Sequence, residues 1–411
     1  MTNEVKNVPK LRFQRFEDEW KKKRLKDIVE PLKGNSGENK NLPVLTISAK
    51  KGWLNQKERF SQVIAGNSLS KYNELKKGDL SYNKGNSKVA LYGIVYKLGF
   101  DNALVPNVYK SFRPKPNNVS DFLEKYFHTK ILDRQLRRVI TSTARMDGLL
   151  NISDYDFYNM SLNIPVNNEQ KKIGDFFSKL DQQIELEEKK LAKLEEQKKG
   201  YMQKIFSQEL RFKDENGNDY PEWEEINLGS LYKKGKAGGT PKSTESKYYN
   251  GKVPFLSISD ITKQGKFLNT TEKKITQEGL DNSTAWLVPV NSINYAMYAS
   301  VGYLSINKIE VATSQAIFNM VFEDYNLVEY LYYYLNYIRD KGVLEKLMGT
   351  GTQSNLSASI MKNITVKVPS KNEIIKTSKF LGNVDELIET QSSKVELLKE
   401  RKEGLLQKMF V

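Results

Sequence analysis

A stretch near the middle of this chain returns at its C-terminus at a constant distance. Asn151-Ile152-Ser153, Asn163-Ile164-Pro165, Glu169, Leu194 and Gly200 to Phe206 are matched by Asn355-Leu356-Ser357, Lys367-Val368-Pro369, Glu373, Leu398 and Gly404 to Phe410, each pair 204 residues apart. A weaker repeat opens each half. Leu11-Arg12-Phe13 with Trp20 and Leu25 returns as Leu210-Arg211-Phe212 with Trp223 and Leu228, the last two pairs 203 residues apart. One spacing held this long implies a duplicated molecule, and a duplicated molecule suits a two-part target.

Between the repeated stretches lie two dissimilar modules. In the first, strand-like runs occur at 42–47, 79–82 and 89–92, with Asn83 to Asn86 as a turn between the last two. Phe122, Leu123, Tyr126, Phe127, Ile131, Leu132 and Leu136 then predict one helix with a broad apolar face. The second module repeats the order with strands at 253–258, 292–295 and 316–322 and a helix over 327–347. Tyr330, Tyr333, Tyr334 and Tyr337 have helical spacing there, and an aromatic stripe packed on a sheet is preferred over a base-stacking platform.

Each repeated stretch reads as a long helix. Apolar positions alternate by four and three through Ile173, Phe177, Leu180, Ile184, Leu191, Leu194, Tyr201 and Ile205, broken by Glu187 and Lys198. Adding 204 gives the same seam, with breaks at Gln391 and Lys402. This is a coiled-coil period, and about 35 to 38 residues make a helix of roughly 55 Å. The expected class is therefore α+β. Two mixed α/β modules, 1–166 and 208–370, are joined by spacer helices 167–207 and 371–411, which pair antiparallel as a coiled coil about an internal pseudo-twofold axis. Placing Glu187 opposite Lys402 and Lys198 opposite Gln391 satisfies both breaks at once, and that register is the expectation. Phe176, Leu186, Met202 and Phe206 on the outer turns have two readings, docking of partner helices or local packing.

Composition narrows the function. The formal net charge is +15, with 65 Lys and Arg, as a protein facing phosphates would carry. Cysteine is absent and His128 is the only histidine, so triads, thiolate sites and zinc-hydrolase sites have no material. His128 is expected to be a packed or surface imidazole. No Walker-type or dinucleotide-binding glycine loop occurs, and no Asp or Glu cluster has metal-ligand spacing. Gly235 to Pro241 lacks the lysine-hydroxyl ending of a phosphate loop and reads as a loop able to approach a DNA backbone closely. No catalytic residue, metal or cofactor is expected. Neither an apolar leader nor an apolar run of about 18 residues is present, so a cytoplasmic location is expected.

Two dissimilar modules, two similar antiparallel helices and no catalytic motif resemble the specificity subunit of Type I restriction-modification systems. The pieces that carry the resemblance are Trp20 and Leu25 with Trp223 and Leu228, Gly238-Gly239-Thr240-Pro241 followed by Tyr248 to Phe255, and Gly349 to Gln353 before Asn355-Leu356. Gln203 to Phe206 with Gln407 to Phe410 completes them. The first module departs from the pattern, with Gly34 to Gly37 and Thr143 to Gly148 where the second has its glycine loops. The resemblance implies two target recognition domains on double-stranded DNA and two modification subunits that carry the methyltransferase site. Two restriction subunits with ATP-driven translocase and nuclease activity join them, and the chain itself is non-catalytic. It would direct methylation and restriction to an asymmetric bipartite site, whose half-sites are separated by unread pairs if the modules face DNA about one turn, roughly 34 Å, apart. The competing reading is a two-headed DNA-binding regulator or architectural protein without a methyltransferase partner. DNA contacts are expected from loop residues Lys50, Lys51, Asn55, Asn83, Lys84, Asn86 and Arg145 in the first module, and from Thr240, Lys242, Lys263, Gln264, Tyr298, Thr352 and Gln353 in the second.

Overall fold

Short antiparallel ladders explain why the repeated residues recur. In the computed structural model, which describes residues 7–35, 42–60, 66–85, 88–140, 150–348 and 356–411, strand Lys21–Arg24 pairs with Ser161–Ile164. Strand Glu224–Asn227 pairs in the same way with Thr365–Val368. Each ladder joins the start of a module to the residues just before a long helix. The repeated leucines continue it: Leu25 donates its N–H to the Met160 carbonyl at 2.9 Å, and Leu228 to Ile364 at 2.8 Å. Both leucines are fully buried.

The long helices are Asn167–Phe206 and Lys371–Met409. Two compact units divide the chain, one of residues 1–189 with 393–411, the other of residues 190–392. Each helix therefore gives part of its length to each unit. The first helix closes at Gln208, whose φ of 66° cannot continue a helix.

In the first unit, four antiparallel strands run in the order Val29–Leu32, Lys110–Pro114, Leu80–Asn83, Ile94–Lys97. Two further two-stranded ladders are Leu45–Ser48 with Gly52–Asn55, and Asn73–Lys76 with Asn102–Val105. The core gathers Trp20, Phe112, Phe122, Tyr126, Phe157 and Phe177, and the far end of the second helix enters it. Phe410 stacks on Phe122 at 5.4 Å and meets Tyr126 at 5.7 Å. The second unit has five strands in the order Lys234–Ala237, Ile317–Val321, Ile293–Ala296, Leu304–Asn307, Phe267–Leu268. A three-stranded sheet, Lys273–Ile275, Tyr249–Leu256, Ala312–Thr313, adjoins them in sequence. Its core takes Phe206 at 5.3 Å from both Tyr334 and Tyr337. Phe206 and Phe410 are repeat equivalents, so a phenylalanine at or just past the end of each long helix is buried in a core, one in each unit.

Several expectations need correction. The run 89–92 is a loop rather than a strand, because Val89 and Leu91 are 67% and 58% exposed; the strand falls instead at Ile94–Lys97. The helix expected through Leu136 breaks into Ser120–His128 and Asp133–Val139, since Thr129 caps the first piece by donating its hydroxyl to the Tyr126 carbonyl. The helix over 327–347 is Tyr325–Asp340 and Val343–Met348, broken at Gly342 with φ 68°. Of the outer-turn residues, Met202 and Phe206 are buried in their own unit and Phe176 packs edge-on against Phe13; Leu186 is exposed.

The helix register also differs from expectation. Glu187 pairs with Lys394 at 2.5 Å rather than Lys402, while Lys198 pairs with Asp385 at 2.6 Å rather than Gln391. Lys402 pairs with Asp181 at 2.5 Å. These partners lie eight and six positions from the expected ones, a displacement centred on one heptad. The physical reason is that the polar breaks need not face each other. A long lysine stem can cover the apolar seam while its ammonium reaches an aspartate beside it, and Val395 and Val384 stay buried in the seam.

Candidate DNA interface

Each module is anchored to the first turn of a long helix by a buried arginine-carboxylate pair. In the first unit, Arg12 donates from Nε and Nη2 to the two oxygens of Glu169, both at 2.7 Å, and the carboxylate is fully buried. In the second, Arg211 does the same to Glu373 at 3.2 and 2.9 Å, and the Trp223 indole N–H adds a third bond at 3.0 Å. Hydrogen bonding to these carboxylates holds both guanidinium pKa values above the ordinary one. Fork geometry of this kind fixes direction as well as distance.

A second duplicated contact ties the two long helices to each other. Asp181 receives Lys402 and also Lys125 at 2.7 Å; burial alone would raise its pKa, but the two ammonium groups outweigh burial and hold it below the usual value. Asp385, its repeat equivalent, receives Lys198 and the Tyr333 hydroxyl at 2.6 Å. The tyrosine stripe is therefore structural, with Tyr330 and Tyr333 fully buried and Tyr330 donating to the Lys367 carbonyl at 2.5 Å.

The expected DNA-contacting residues fall into distinct groups. Lys50 and Lys51 are exposed at the turn of the hairpin Leu45–Ser48 and Gly52–Asn55, where Gly52 takes a φ of 72°. Asn83 binds that hairpin by donating from Nδ2 to the Ile47 carbonyl at 3.0 Å, and its Oδ1 accepts from Gly85 N–H at 3.0 Å. Lys84 follows directly and accepts from Leu150 N–H through its carbonyl at 2.8 Å. The structure thus brings Lys50, Lys51, Asn83 and Lys84 to one edge, with the Asn83 amide committed to holding it. Asn55 sits at the other end of the hairpin and caps the next helix at Lys57 N–H.

In the second module Thr240, Lys242 and Tyr298 are exposed. Lys263 pairs with Glu272 at 3.2 Å, and Gln264 satisfies its amide on the backbone of Asn269 and Thr270. These two close a turn. Asn86, Arg145, Thr352 and Gln353 lie outside the described residues. The sequence reading missed Gln315, an exposed side chain whose Oε1 accepts from the Thr240 hydroxyl. Its only signal was its place directly before the apolar run that begins at Ala316. His128 packs edge-on against Tyr96 at 5.0 Å and donates from Nε2 to the Val95 carbonyl at 2.7 Å; burial lowers its pKa to about 4. Among the described residues no group of acidic or imidazole side chains has the arrangement of a metal site, and no helix is long and apolar enough to cross a membrane.

The geometry defines a duplicated chain whose two unlike modules are fixed to one pair of helices by like anchors. The family model described as Type I restriction modification DNA specificity domain matches twice, at residues 17–196 and 220–399. The chain belongs to this family of sequence-specific DNA recognition subunits. The two matches are displaced by 203 residues, the interval that separates Trp20 from Trp223 and one short of the 204 of the longer repeat. Among similar proteins, the MjaIX specificity subunit of Methanocaldococcus jannaschii is 27% identical over 177 residues, a match spanning 43% of this chain and about two fifths, 41%, of that relative. The putative MjaX specificity subunit of the same organism is 23% identical over 97% of this chain and 95% of its own length. In fold, the chain is similar to the crystal structure of a Type I system S subunit from M. genitalium, with a TM-score of 0.59 and 18% identity over 98% of this chain and 99% of that one.

Proposed function

We propose that this chain is the non-catalytic subunit that directs a Type I restriction-modification complex to an asymmetric bipartite site on double-stranded DNA. Residues 1–166 and 208–370 each read one half-site, and residues 167–207 and 371–411 serve as spacer helices. Two modification subunits supply methyl transfer, two restriction subunits supply ATP-driven translocation and cleavage, and the complex acts in the cytoplasm. The observation that carries this reading is the pairing of matched anchors, Arg12 with Glu169 and Arg211 with Glu373, with modules whose sheets are unlike. Like anchors with unlike readers suit a target whose halves differ. Phosphate contacts from exposed lysines such as Lys50, Lys51 and Lys242 fix position, while polar side chains in the loops read base edges.

Reconstitution tests the assignment. The purified chain alone should neither methylate, hydrolyse ATP nor cleave DNA, and adding modification subunits should give methylation at one bipartite motif. Its DNA affinity should fall steeply with salt. Methylation by the chain alone, or a motif set by the modification subunits regardless of which such chain is added, would overturn the reading.

A further inference from the structure

The turn at 313–317 of the second unit is held from outside through three of its carbonyls. Gly239 N–H donates to the Thr313 carbonyl at 2.9 Å, Gly238 N–H to Ile317 at 3.1 Å, and Met297 N–H to Ala316 at 2.9 Å. The turn closes on itself through Ile317 N–H and the Ser314 carbonyl at 3.1 Å. Only glycine permits this approach. A Cβ on Gly238 would lie 2.1 Å from the Thr313 carbonyl oxygen, and one on Gly239 would lie 2.1 Å from Thr284 Oγ1. Thr313 and Ile317 at the flanks are fully buried, and Gln315 stands exposed between them.

The next residue of the glycine loop then orients the side chain at the crest. Thr240 donates its hydroxyl to Gln315 Oε1, so the oxygen end of the amide faces Thr240, and Nε2 has no acceptor among the described residues. One lone pair on Oε1 and the Nε2 hydrogens remain for a ligand. From this the geometry points to Gln315 as a specificity-determining residue that reads adenine in the major groove. Its Oε1 would accept from adenine N6–H and its Nε2 would donate to N7, the bidentate pairing for which a glutamine amide is matched. Guanine presents two acceptors at the same positions and would set O6 against Oε1. Thr240 is a positioning residue that selects one of the two amide orientations. The inference rests on the proposed role of residues 208–370 as reader of one half-site.

The test uses the assembled complex with modification subunits, measuring binding to duplexes carrying each base at every position of the wild-type motif. Gln315→Ala should erase discrimination at one adenine position, by roughly 5- to 150-fold, and leave the other positions intact. Gln315→Glu, which has acceptors only, should move the preference there toward cytosine. Thr240→Val should relax the same position by less. Unchanged discrimination in Gln315→Ala would overturn the inference, as would a uniform loss across the half-site. Unchanged discrimination in Thr240→Val would overturn the positioning role. Exchange of residues 208–370 for a module of different specificity separates the two levels. If that exchange rewrites a half-site while Gln315→Ala does not, the proposed function stands and this inference falls. If the exchange also leaves the motif unchanged, the proposed function itself has failed.

Discussion

The two anchors are built to one plan but are not equally satisfied. Glu373 collects two bonds from Arg211 and one from the Trp223 indole, whereas Glu169 collects two from Arg12 while the buried Trp20 indole nitrogen has no hydrogen-bond partner among the described residues. Duplication has kept the contacts that fasten a module to the helices, and it has let the surroundings drift. The sheets differ more still, four antiparallel strands in one unit and five mixed strands in the other. The constraint falls on attachment, and the reading surfaces are free to diverge.

The anchors offer the sharpest way to break this comparison. Removing one partner from a buried ion pair costs about 3–5 kcal/mol, so Glu169→Ala and Glu373→Ala should each destabilise strongly in denaturant unfolding. Glu373→Ala should cost more, because it also orphans the Trp223 indole, by about 1–2 kcal/mol. Equal losses at the two sites would show that the third bond contributes nothing.

The second contrast is one of pH. His128 has a folded-state pKa lowered to about 4, below the unfolded value of about 6.5. Its neutral form is favoured by folding, so the stability it confers is complete above pH 6.5 and is lost as pH falls toward 4, on the order of 3 kcal/mol in all. Unfolding midpoints measured across that window should fall with acid, and His128→Gln should flatten the slope. An unchanged slope in the variant would remove His128 as the cause.

The smallest effects concern the paired helices. Lys402 and Asp181 are each about a quarter to a third exposed, so their pair should contribute on the order of 0.5–1 kcal/mol. A double-mutant cycle should detect coupling between Lys402 and Asp181 and, equally, between Lys198 and Asp385, with none between Lys402 and Glu187. Coupling of Lys402 to Glu187 would restore the register expected from the seam alone.

Much of this architecture was legible in the sequence because duplication prints it twice. The repeat of Trp20 and Leu25 as Trp223 and Leu228 corresponds to ladder and core positions, and the four-three spacing corresponds to Asn167–Phe206 and Lys371–Met409. The register was misread because Glu187 and Lys198 were required to face polar partners across the seam. The repeated aspartates, Asp181 and Asp385, were the available signal. Val89 and Leu91 read as strand because alternation says nothing of exposure. The reading loops were least legible: whether an amide such as Asn83 or Gln264 serves its own backbone, or stands ready like Gln315, depends on neighbours brought together only by the fold.

The central claim is that two modules on one duplicated frame read independently. Its most direct measurement is the methylated motif, read by sequencing modified DNA, after residues 1–166 are exchanged for a first module of different specificity in the assembled complex. The account predicts a new first half-site, with the second half-site and the number of base pairs between them unchanged. A change in both halves, or in the gap, would contradict it.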